Sequence, residues 1–302
     1  MSSISTAFKV EDIFGVKGKI VVVTGGGTGL GKAITAGFAN NGAKVFITGR
    51  RKEVLESSAK EIGGDIVAIQ GDVSTKEGCK AIADAIKAKE SKIDVLINCA
   101  GVMRGWKSSI SNHDDPDQVA DLLWEGHDDD DFNYSNSSVY FITAALVPLL
   151  RQSDFPSVTV IASIAGLANQ RAMGTVSYGV TKVSQYPDRT TAIHLGKLLA
   201  GRLHPMKIRV NTICPGIFPS EMTGKSETGE GHEYNLAEGA SKAAKRSTAG
   251  RPGLPEEIVG PVLLLSSRAG GYMDGALLTV DGGRLMGAGI NDGLRLAEDT
   301  YI

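Results

Sequence analysis

Thr24-Gly-Gly-Gly-Thr-Gly-Leu-Gly31 is the stretch that decides the fold. It follows residues 19–24, a β-branched apolar run typical of a strand buried on both faces, and it precedes residues 32–41, whose apolar spacing predicts a helix. Glycines let backbone N–H groups approach a pyrophosphate, and a helix N-terminus favours its negative charge. The stretch therefore predicts a strand–turn–helix unit that holds the phosphates of a dinucleotide.

Six more apolar runs of strand character follow along the chain, with helix-like segments between them. Strands that alternate with helices predict an α/β fold, a single Rossmann-like doubly wound domain whose seven-stranded parallel sheet carries helices on both faces. Ligands of such sheets bind beyond the carboxyl ends of the strands. The six runs are residues 43–48, 66–70, 93–97, 158–162, 208–213 and 277–280.

A second motif, Tyr178-Gly-Val-Thr-Lys182, places a phenol and an ammonium one helical turn apart, and Ser163 precedes it at a strand end. A nearby ammonium favours the phenolate, which lowers the pKa of the tyrosine and makes it a usable general acid or base. Taken alone, the pair is more typical of an amphipathic helix surface than of a catalytic site. Together with the glycine turn, it predicts proton transfer beside a bound dinucleotide.

The second predicted strand ends at Gly49, where a dinucleotide fold commonly has an acidic residue for the ribose hydroxyls, and Arg50 and Arg51 follow. A carboxylate repels a 2′-phosphate, whereas a guanidinium pairs with it. The sequence therefore favours NADP(H) over NAD(H). The alternative, that these arginines are solvated residues at the start of a helix, fits Arg51 better than Arg50.

From about residue 17 to residue 285, the chain resembles the short-chain dehydrogenase/reductase superfamily in its single-domain, NADP-preferring form with a Tyr-x-x-x-Lys motif. The resemblance rests on an ordered set of motifs that is specific for the family and not for a substrate. They are Thr24-Gly25-x-x-x-Gly29-x-Gly31, Asp72-Val73, Asn98-Cys-Ala-Gly101, Ser163, Tyr178-x-x-x-Lys182, Pro215-Gly216 and Val280-Asp281-Gly282-Gly283.

The resemblance implies roles for these positions. Tyr178 is the general acid or base, Lys182 also bonds the nicotinamide ribose, and Ser163 bonds the substrate carbonyl oxygen. Asp72 and Val73 flank the adenine, although Asp72 is also a candidate N-cap for a helix starting near Thr75. The remaining cofactor contacts are Gly25, Thr28, Gly29, Leu30 and Gly31 in the phosphate loop, Arg50 at the ribose, Asn98, Ala100 and Gly101 at the middle, and Pro215, Gly216 and Ile217 near the nicotinamide amide.

Two departures from the family pattern stand out. Where the family has an Asn that holds a water of the proton relay, this chain has Ser135, unless a shift of register brings Asn136 into place. Pro187 falls in the helix expected after Lys182, where it removes a backbone donor. Because of these two departures, a non-catalytic NADP(H)-binding protein remains a remote alternative to an active enzyme.

Composition sets outer limits on function. The net charge of −2 gives no general attraction to nucleic acid or anionic membranes, and no apolar run has the length of a membrane span. Three cysteines and an N-terminus without an apolar core favour a cytoplasmic protein with reduced thiols. His113 and His127 match no ligand spacing for a metal, so no metal is expected.

Segments beyond the family minimum are residues 1–16, a polar leader, residues 103–131, a long loop, and residues 286–302, a C-terminal extension. Residues 220–248 correspond to a mobile lid over the substrate in the family.

The predicted reaction is NADPH-dependent reduction of a small-molecule ketone. The alternatives are a 3-oxoacyl-(acyl-carrier-protein) reductase and a polyol or sugar dehydrogenase; an acidic stretch at 114–131 argues mildly against the acidic carrier protein. The resemblance also implies a homodimer or homotetramer.

Overall fold

The computed structural model describes residues 8–101, 107–112, 115–126, 136–168, 192–224 and 236–286. Tyr178, Lys182, Ser135 and Pro187 lie outside the described residues, as do the polar leader up to residue 7 and the extension after residue 286.

The strands form one parallel sheet in the order β3-β2-β1-β4-β5-β6-β7. This confirms the predicted doubly wound α/β fold with seven strands. Strands β1 to β3 follow one another towards one edge of the sheet, and strands β4 to β7 follow one another towards the other edge. The chain therefore returns from the edge strand β3 to the centre of the sheet at β4. The strands are β1 (Ile20–Thr24), β2 (Lys44–Gly49), β3 (Ile66–Gln70), β4 (Val95–Asn98), β5 (Ser157–Ile161), β6 (Arg209–Pro215) and β7 (Leu277–Val280).

Helices cover both faces of the sheet. In chain order they are α1 (Val10–Ile13), α2 (Gly29–Asn40), α3 (Lys52–Ile62), α4 (Lys76–Lys87), α5 (Pro116–Glu125), α6 (Asn136–Leu150), α7 (Ala192–Leu203), α8 (Glu238–Lys245) and α9 (Pro255–Ser266). Short 3₁₀ turns occupy Ile164–Gly166, His204–Met206 and Arg268–Gly270.

Alternate side chains of each central strand enter two separate cores. Val22 of β1 packs with α4 and α6 through Ile82 and Ile142, whereas Val21 and Val23 pack with α2 and α9 on the other face. Every residue from Val21 to Thr24 is buried, which is why the strand reads as a continuous apolar run and not as an alternating one.

The helix after the glycine turn begins at Gly29, three residues before the predicted start. Thr28 is its N-cap residue in extended conformation, so Gly29 and Gly31 belong to the first helical turn. Glycine has a low helix propensity, which is why the sequence pattern placed the start later. The shift places the helix N-terminus directly in the glycine stretch.

The long segment after β4 contains a helix that the sequence analysis treated as part of a loop. Asp115 caps α5 by accepting hydrogen bonds from the N–H groups of Asp117 and Gln118, and Pro116 occupies the first helical position. Leu122 is its buried residue, while Trp124 is 82% exposed. A helix with so small an apolar face gives a weak periodic signal.

At the amino ends of the strands, opposite the carboxyl ends, buried Asp94 and three partly buried cations form a polar network. The carboxylate of Asp94 accepts hydrogen bonds from the backbone N–H of Ile20 (2.9 Å), from Lys92 Nζ (3.2 Å) and from the Ser153 hydroxyl. Lys19 Nζ and the Arg209 guanidinium both lie over the Phe155 ring, at 5.1 and 4.6 Å from its centroid. This network joins the starts of β1, β4 and β6.

Asp94→Asn tests this network. Burial raises the pKa of Asp94, but the hydrogen bonds from Ser153, Ile20 and Lys92 outweigh it and hold the pKa below its usual 3.8. A carboxyl with a depressed native pKa stabilises the fold above its unfolded pKa, and that stability is lost as pH falls through the native value. We expect Asp94→Asn to lower the free energy of unfolding by about 1–3 kcal/mol at neutral pH.

The deficit should shrink as the pH falls through the native pKa of Asp94, because the wild-type carboxyl then loses its charge. Urea unfolding of both proteins from pH 7 to pH 3 measures it. A deficit that stays constant over this range contradicts the assignment of stability to the ionised form.

Candidate active site

The glycine turn is tight because Gly31 lies against the backbone carbonyl of Gly25. A Cβ placed on Gly31 would lie 2.0 Å from the carbonyl oxygen of Gly25, so no side chain fits there. Gly25 itself has a φ of 69°, a conformation that L-residues rarely adopt. The close approach of the two glycines brings the N-terminus of α2 over the end of β1, where its first turn contains no acidic residue. This arrangement fits a pyrophosphate.

Two hydroxyl groups fix the carbonyl groups of the turn. Thr35 Oγ1 donates to the carbonyl of Gly31 (2.8 Å) and lies 3.2 Å from that of Gly26, and Ser58 Oγ donates to the carbonyl of Gly27 (2.7 Å). Both hydroxyls are buried. With the carbonyls held inward, the N–H groups at the start of α2 are left for a ligand.

Thr24 joins the end of β1 to the end of β4. Its Oγ1 accepts hydrogen bonds from the N–H groups of Cys99 and Ala100, both at 3.0 Å. The hydroxyl lies 3.5 Å from the carbonyl of Ile97 and is almost fully buried. Thr24 therefore sets the path of the segment after β4 along the cleft.

A cleft of about 450 Å³ runs along the carboxyl ends of the central strands. Several predicted cofactor-binding residues from four separate segments line it, with neighbours that include Cys99, Ser138 and Met222. The predicted residues in its wall are Gly25, Thr28, Gly29, Leu30, Gly31, Arg50, Asp72, Val73, Ala100 and Gly101.

At one end of the cleft, Gly49, Arg50 and Arg51 form the wall where β2 ends. The backbone carbonyl of Arg50 accepts a hydrogen bond from Gln70 Nε2 of β3 (2.9 Å). Arg51, the N-cap residue of α3, donates from Nη2 to both carboxylate oxygens of Glu221, at 3.1 and 2.9 Å. Two arginines and one glutamate thus line this end of the cleft.

Asp72 is not the N-cap of the following helix. Thr75 holds that position and accepts a hydrogen bond from the N–H of Gly78, while the Asp72 carboxylate accepts one from the N–H of Ser74. Asp72 remains in the cleft wall beside Val73.

Four predicted cofactor contacts are not among the described residues that line the cleft. Asn98 is buried, and its Nδ2 donates to the hydroxyl of Thr143 in α6 (3.1 Å). Pro215 is the last residue of β6. The N–H of the next residue, Gly216, donates to the carbonyl of Val280 (2.9 Å), and Ile217 follows Gly216 in the chain. A Cβ on Gly216 would meet the Cα of Asp281 at 2.7 Å, so the Pro-Gly and Asp-Gly-Gly motifs pack against each other.

Ser163 lies two residues after β5, next to Ala162 of the cleft wall. Its Oγ accepts a hydrogen bond from the N–H of Ala165 (3.1 Å), and its side chain caps the 3₁₀ turn that follows. Because the oxygen is occupied as an acceptor, the hydroxyl proton is left to donate elsewhere. That orientation suits a donor to a carbonyl oxygen.

Of the two candidates for the relay residue, Asn136 is the first residue of α6 and Ser135 lies outside the described residues. Two residues further along α6, Ser138 lines the cleft. The first turn of α6 therefore borders the cleft.

The three cysteines are free thiols. Burial raises the pKa of the Cys79 thiol to about 11, and Cys214 is also buried, whereas Cys99 lies half-buried in the cleft wall. Within the described ranges, no cluster of three or more His, Cys, Asp or Glu side chains is arranged for a metal ion. In the same part of the chain, no helix has the length and apolar character to cross a membrane.

Comparison with known proteins shows the family to which this chain belongs. The family model for short chain dehydrogenases matches residues 19–231. A short-chain dehydrogenase/reductase named PhomF, from Diaporthe leptostromiformis, is 32% identical over an alignment of 295 residues that covers 94% of this chain and 97% of that protein. A rhamnolipid-biosynthesis 3-oxoacyl-[acyl-carrier-protein] reductase from Pseudomonas aeruginosa is 32% identical over 277 residues, covering 89% of this chain and 97% of that one.

Among solved structures, the Pseudomonas aeruginosa RhlG/NADP active-site complex superposes with a TM-score of 0.73 at 30% identity, covering 90% of this chain and 98% of that chain. The chain belongs to the short-chain dehydrogenase/reductase family. It is an oxidoreductase that acts on CH–OH or C=O groups with a nicotinamide dinucleotide, NAD(P)(H).

Sequence reasoning missed three residues that shape the cleft: Thr24, Thr35 and Ser58. Thr35 carried a signal, because it is a polar residue four positions after Gly31 on a helix whose neighbouring buried positions are apolar. Thr24 stood inside the quoted motif, but its partners lie more than 70 residues away. Ser58 gave no comparable signal, because its partner, the carbonyl of Gly27, lies on a separate element.

Gly31→Ala tests the closed turn. The added methyl group displaces the carbonyl of Gly25, so we expect the N–H groups at the start of α2 to move and dinucleotide binding to weaken by about tenfold or more. Gly201→Ala in α7 is the matched control, because a Cβ at that position meets no atom within 4 Å. Titration of both variants with NADPH and NADH measures the effect, and unchanged affinity in Gly31→Ala contradicts it.

Thr24→Val tests the join between β1 and β4. Valine keeps the shape of threonine but offers no acceptor to the N–H groups of Cys99 and Ala100. We expect the free energy of unfolding to fall by about 2–3 kcal/mol. Thr24→Ser retains the hydroxyl and should lose clearly less. Urea unfolding compares them, and equal losses would mean that methyl packing, not the acceptor, stabilises this join.

Proposed function

We propose that this protein reduces a ketone or other carbonyl of a small molecule to an alcohol with NADPH as the hydride donor. The observation that carries the NADPH assignment is the cleft wall at the end of β2. Gly49 places no carboxylate at the end of β2 itself, and Arg50 and Arg51 bring two guanidinium groups to this wall against the single carboxylate of Glu221. A guanidinium binds phosphate through charge-assisted, often bidentate, hydrogen bonds. The NADP in the similar Pseudomonas aeruginosa complex supports the same choice.

The residues present fit the dinucleotide. The phosphate turn excludes side chains at Gly31, and the first turn of α2 has no acidic residue to repel phosphates. Val73 and Asp72 lie where the adenine is expected, and Ala100 and Gly101 lie further along the wall. When bound, NADPH supplies the hydride that adds to the carbonyl carbon.

The chain's own residues act on the carbonyl oxygen. The Ser163 hydroxyl, oriented by the N–H of Ala165, donates to that oxygen and stabilises its developing negative charge. Tyr178 then gives its phenolic proton to the oxygen, and Lys182 favours the phenolate that remains. Ser135, or Asn136 at the start of α6, completes a relay that returns a proton to Tyr178. With the hydride and the proton from Tyr178, the carbonyl becomes an alcohol.

A 3-oxoacyl thioester on acyl carrier protein is the second candidate substrate. Its support is the 32% identical Pseudomonas aeruginosa relative, which is named as such a reductase. Against it stands the acidic α5, with Asp117, Asp121 and Glu125 among its residues, because carrier proteins are themselves strongly acidic. A free small-molecule carbonyl meets no such repulsion, so we place it first.

We propose further that the chain is one oxidoreductase domain over residues 17–285, with a lid at about 220–248, in a cytoplasmic homo-oligomer. Residues Asn136–Leu150 of α6 contain no charged side chain, although Tyr140 is 49% exposed. An uncharged and partly exposed helix face suits contact with a second copy. The free thiols fit a reducing compartment.

The test follows the absorbance of the reduced cofactor with ketones, diketones, β-keto esters and 3-oxoacyl thioesters, the last both free and attached to carrier protein. NADPH is compared with NADH in wild type and in Arg50→Gln. We expect kcat/KM to favour NADPH, and Arg50→Gln to lose about 2 kcal/mol of that preference, roughly 30-fold. Tyr178→Phe should lower kcat by at least about 100-fold with every substrate.

Tight NADPH binding without turnover of any compound would support the non-catalytic alternative. Equal use of NADH and NADPH by wild type would contradict the cofactor assignment and leave the reductase assignment intact. Preference for carrier-bound over free thioesters would reverse the order of the two substrate candidates.

A further inference from the structure

An ion pair links the two walls of the cleft at the end where the arginines lie. Arg51 stands between β2 and α3, and Glu221 follows β6, 170 residues later in the chain. The contact is bidentate, at 3.1 and 2.9 Å, and both side chains are about half exposed. Both residues line the cleft together with Arg50.

The backbone holds Glu221 at the cleft independently of Arg51. The hydroxyl oxygen of Thr223 accepts from the N–H of Ser220 (3.0 Å) and donates to the carbonyl of Phe218 (2.6 Å), and the N–H of Gly224 donates to the carbonyl of Ser220 (2.9 Å). Ser220 also packs on the phosphate turn, where a Cβ on Gly29 would lie 3.1 Å from its own. The carboxylate therefore remains near this end when the guanidinium moves away.

The backbone of the arginines is held equally well. The carbonyl of Arg51 accepts from the N–H of Leu55 (3.2 Å), and the carbonyl of Arg50 accepts from Gln70. The arginine side chains are exposed, so they can change partners while their backbone stays in place. Glu221 offsets one of the two positive charges that the sequence places at the end of β2.

We propose that Glu221 is a specificity-determining residue that limits the preference for NADPH, an inference that rests on the proposed NADPH-dependent function. A 2′-phosphate at this end competes with the Glu221 carboxylate for Arg51. An exposed ion pair is weak enough to exchange, and a phosphate dianion is the stronger partner for a guanidinium. NADPH therefore separates Arg51 from Glu221 and leaves a carboxylate near the phosphate, whereas NADH leaves the pair intact.

The experiment compares dissociation constants for NADPH and NADH in wild type, Glu221→Gln, Arg51→Gln and the double variant, at low and high salt. We expect Glu221→Gln to bind NADPH about 2–5-fold more tightly and NADH as wild type does. Arg51→Gln should weaken NADPH binding more in the Glu221→Gln background than in wild type, because Arg51 is then fully available. High salt should reduce both effects.

Glu56→Gln is the matched control. It removes one carboxylate from α3, where Glu56 pairs with Lys52 at 3.6 Å and is not among the described residues of the cleft wall. We expect it to change neither dissociation constant. An equal gain from Glu56→Gln, an equal gain for NADH in Glu221→Gln, or no gain at all would overturn the role of Glu221.

The experiment can refute the proposed NADPH preference independently of the role of Glu221. Wild type that binds both dinucleotides equally, with no effect of Arg50→Gln, refutes the NADPH preference. The inference about Glu221 is judged by the change in the ratio of the two dissociation constants between wild type and Glu221→Gln, whichever value the wild-type ratio has.

Discussion

The approach of Gly31 to the carbonyl of Gly25 is the constraint on which the cleft depends. A Cβ at Gly31 would sit 2.0 Å from that oxygen, so the strand-to-helix turn can close only with glycine there. Closure places the N-terminus of α2 at the end of the central strand, where Thr35 and Ser58 hold the turn's carbonyls inward. The proposed dinucleotide site rests on this geometry, because the N–H groups of the first helical turn then have no intrahelical partner and lie in the cleft wall.

The two edges of the sheet use polar groups in opposite ways. At the amino ends, Asp94 accepts three hydrogen bonds, and Lys19 and Arg209 both lie over the Phe155 ring. Such satisfied charges join strands and contribute stability. At the carboxyl ends, donors are oriented by neighbours, as Ser163 is by the N–H of Ala165, and are left available to a ligand. Stability and reactivity are thereby separated to opposite edges of one sheet.

Electrostatics at the cofactor end is a property of the assembled walls. Arg50 and Arg51 alone suggest a strongly positive site, yet the segment after β6 brings Glu221 into bidentate contact with Arg51. That segment is positioned by Thr223 and by the packing of Ser220 on Gly29. The preference between NADPH and NADH is therefore expected to depend on the summed charge of the segments that follow β2 and β6. Substitutions in either segment should change this preference.

The sequence alone determined the seven parallel strands, the phosphate turn and the family, because buried parallel strands are continuous apolar runs and glycines at a strand-to-helix junction are a local signal. Strand ends were predicted to within a few residues. Only the tertiary structure decided which residues meet: Thr24 with Cys99, Thr75 in place of Asp72 as the cap of α4, and Arg51 with Glu221. Contacts between residues distant in the chain leave no periodicity in the sequence, since they depend on how the strands are ordered and how the connecting segments return across the sheet.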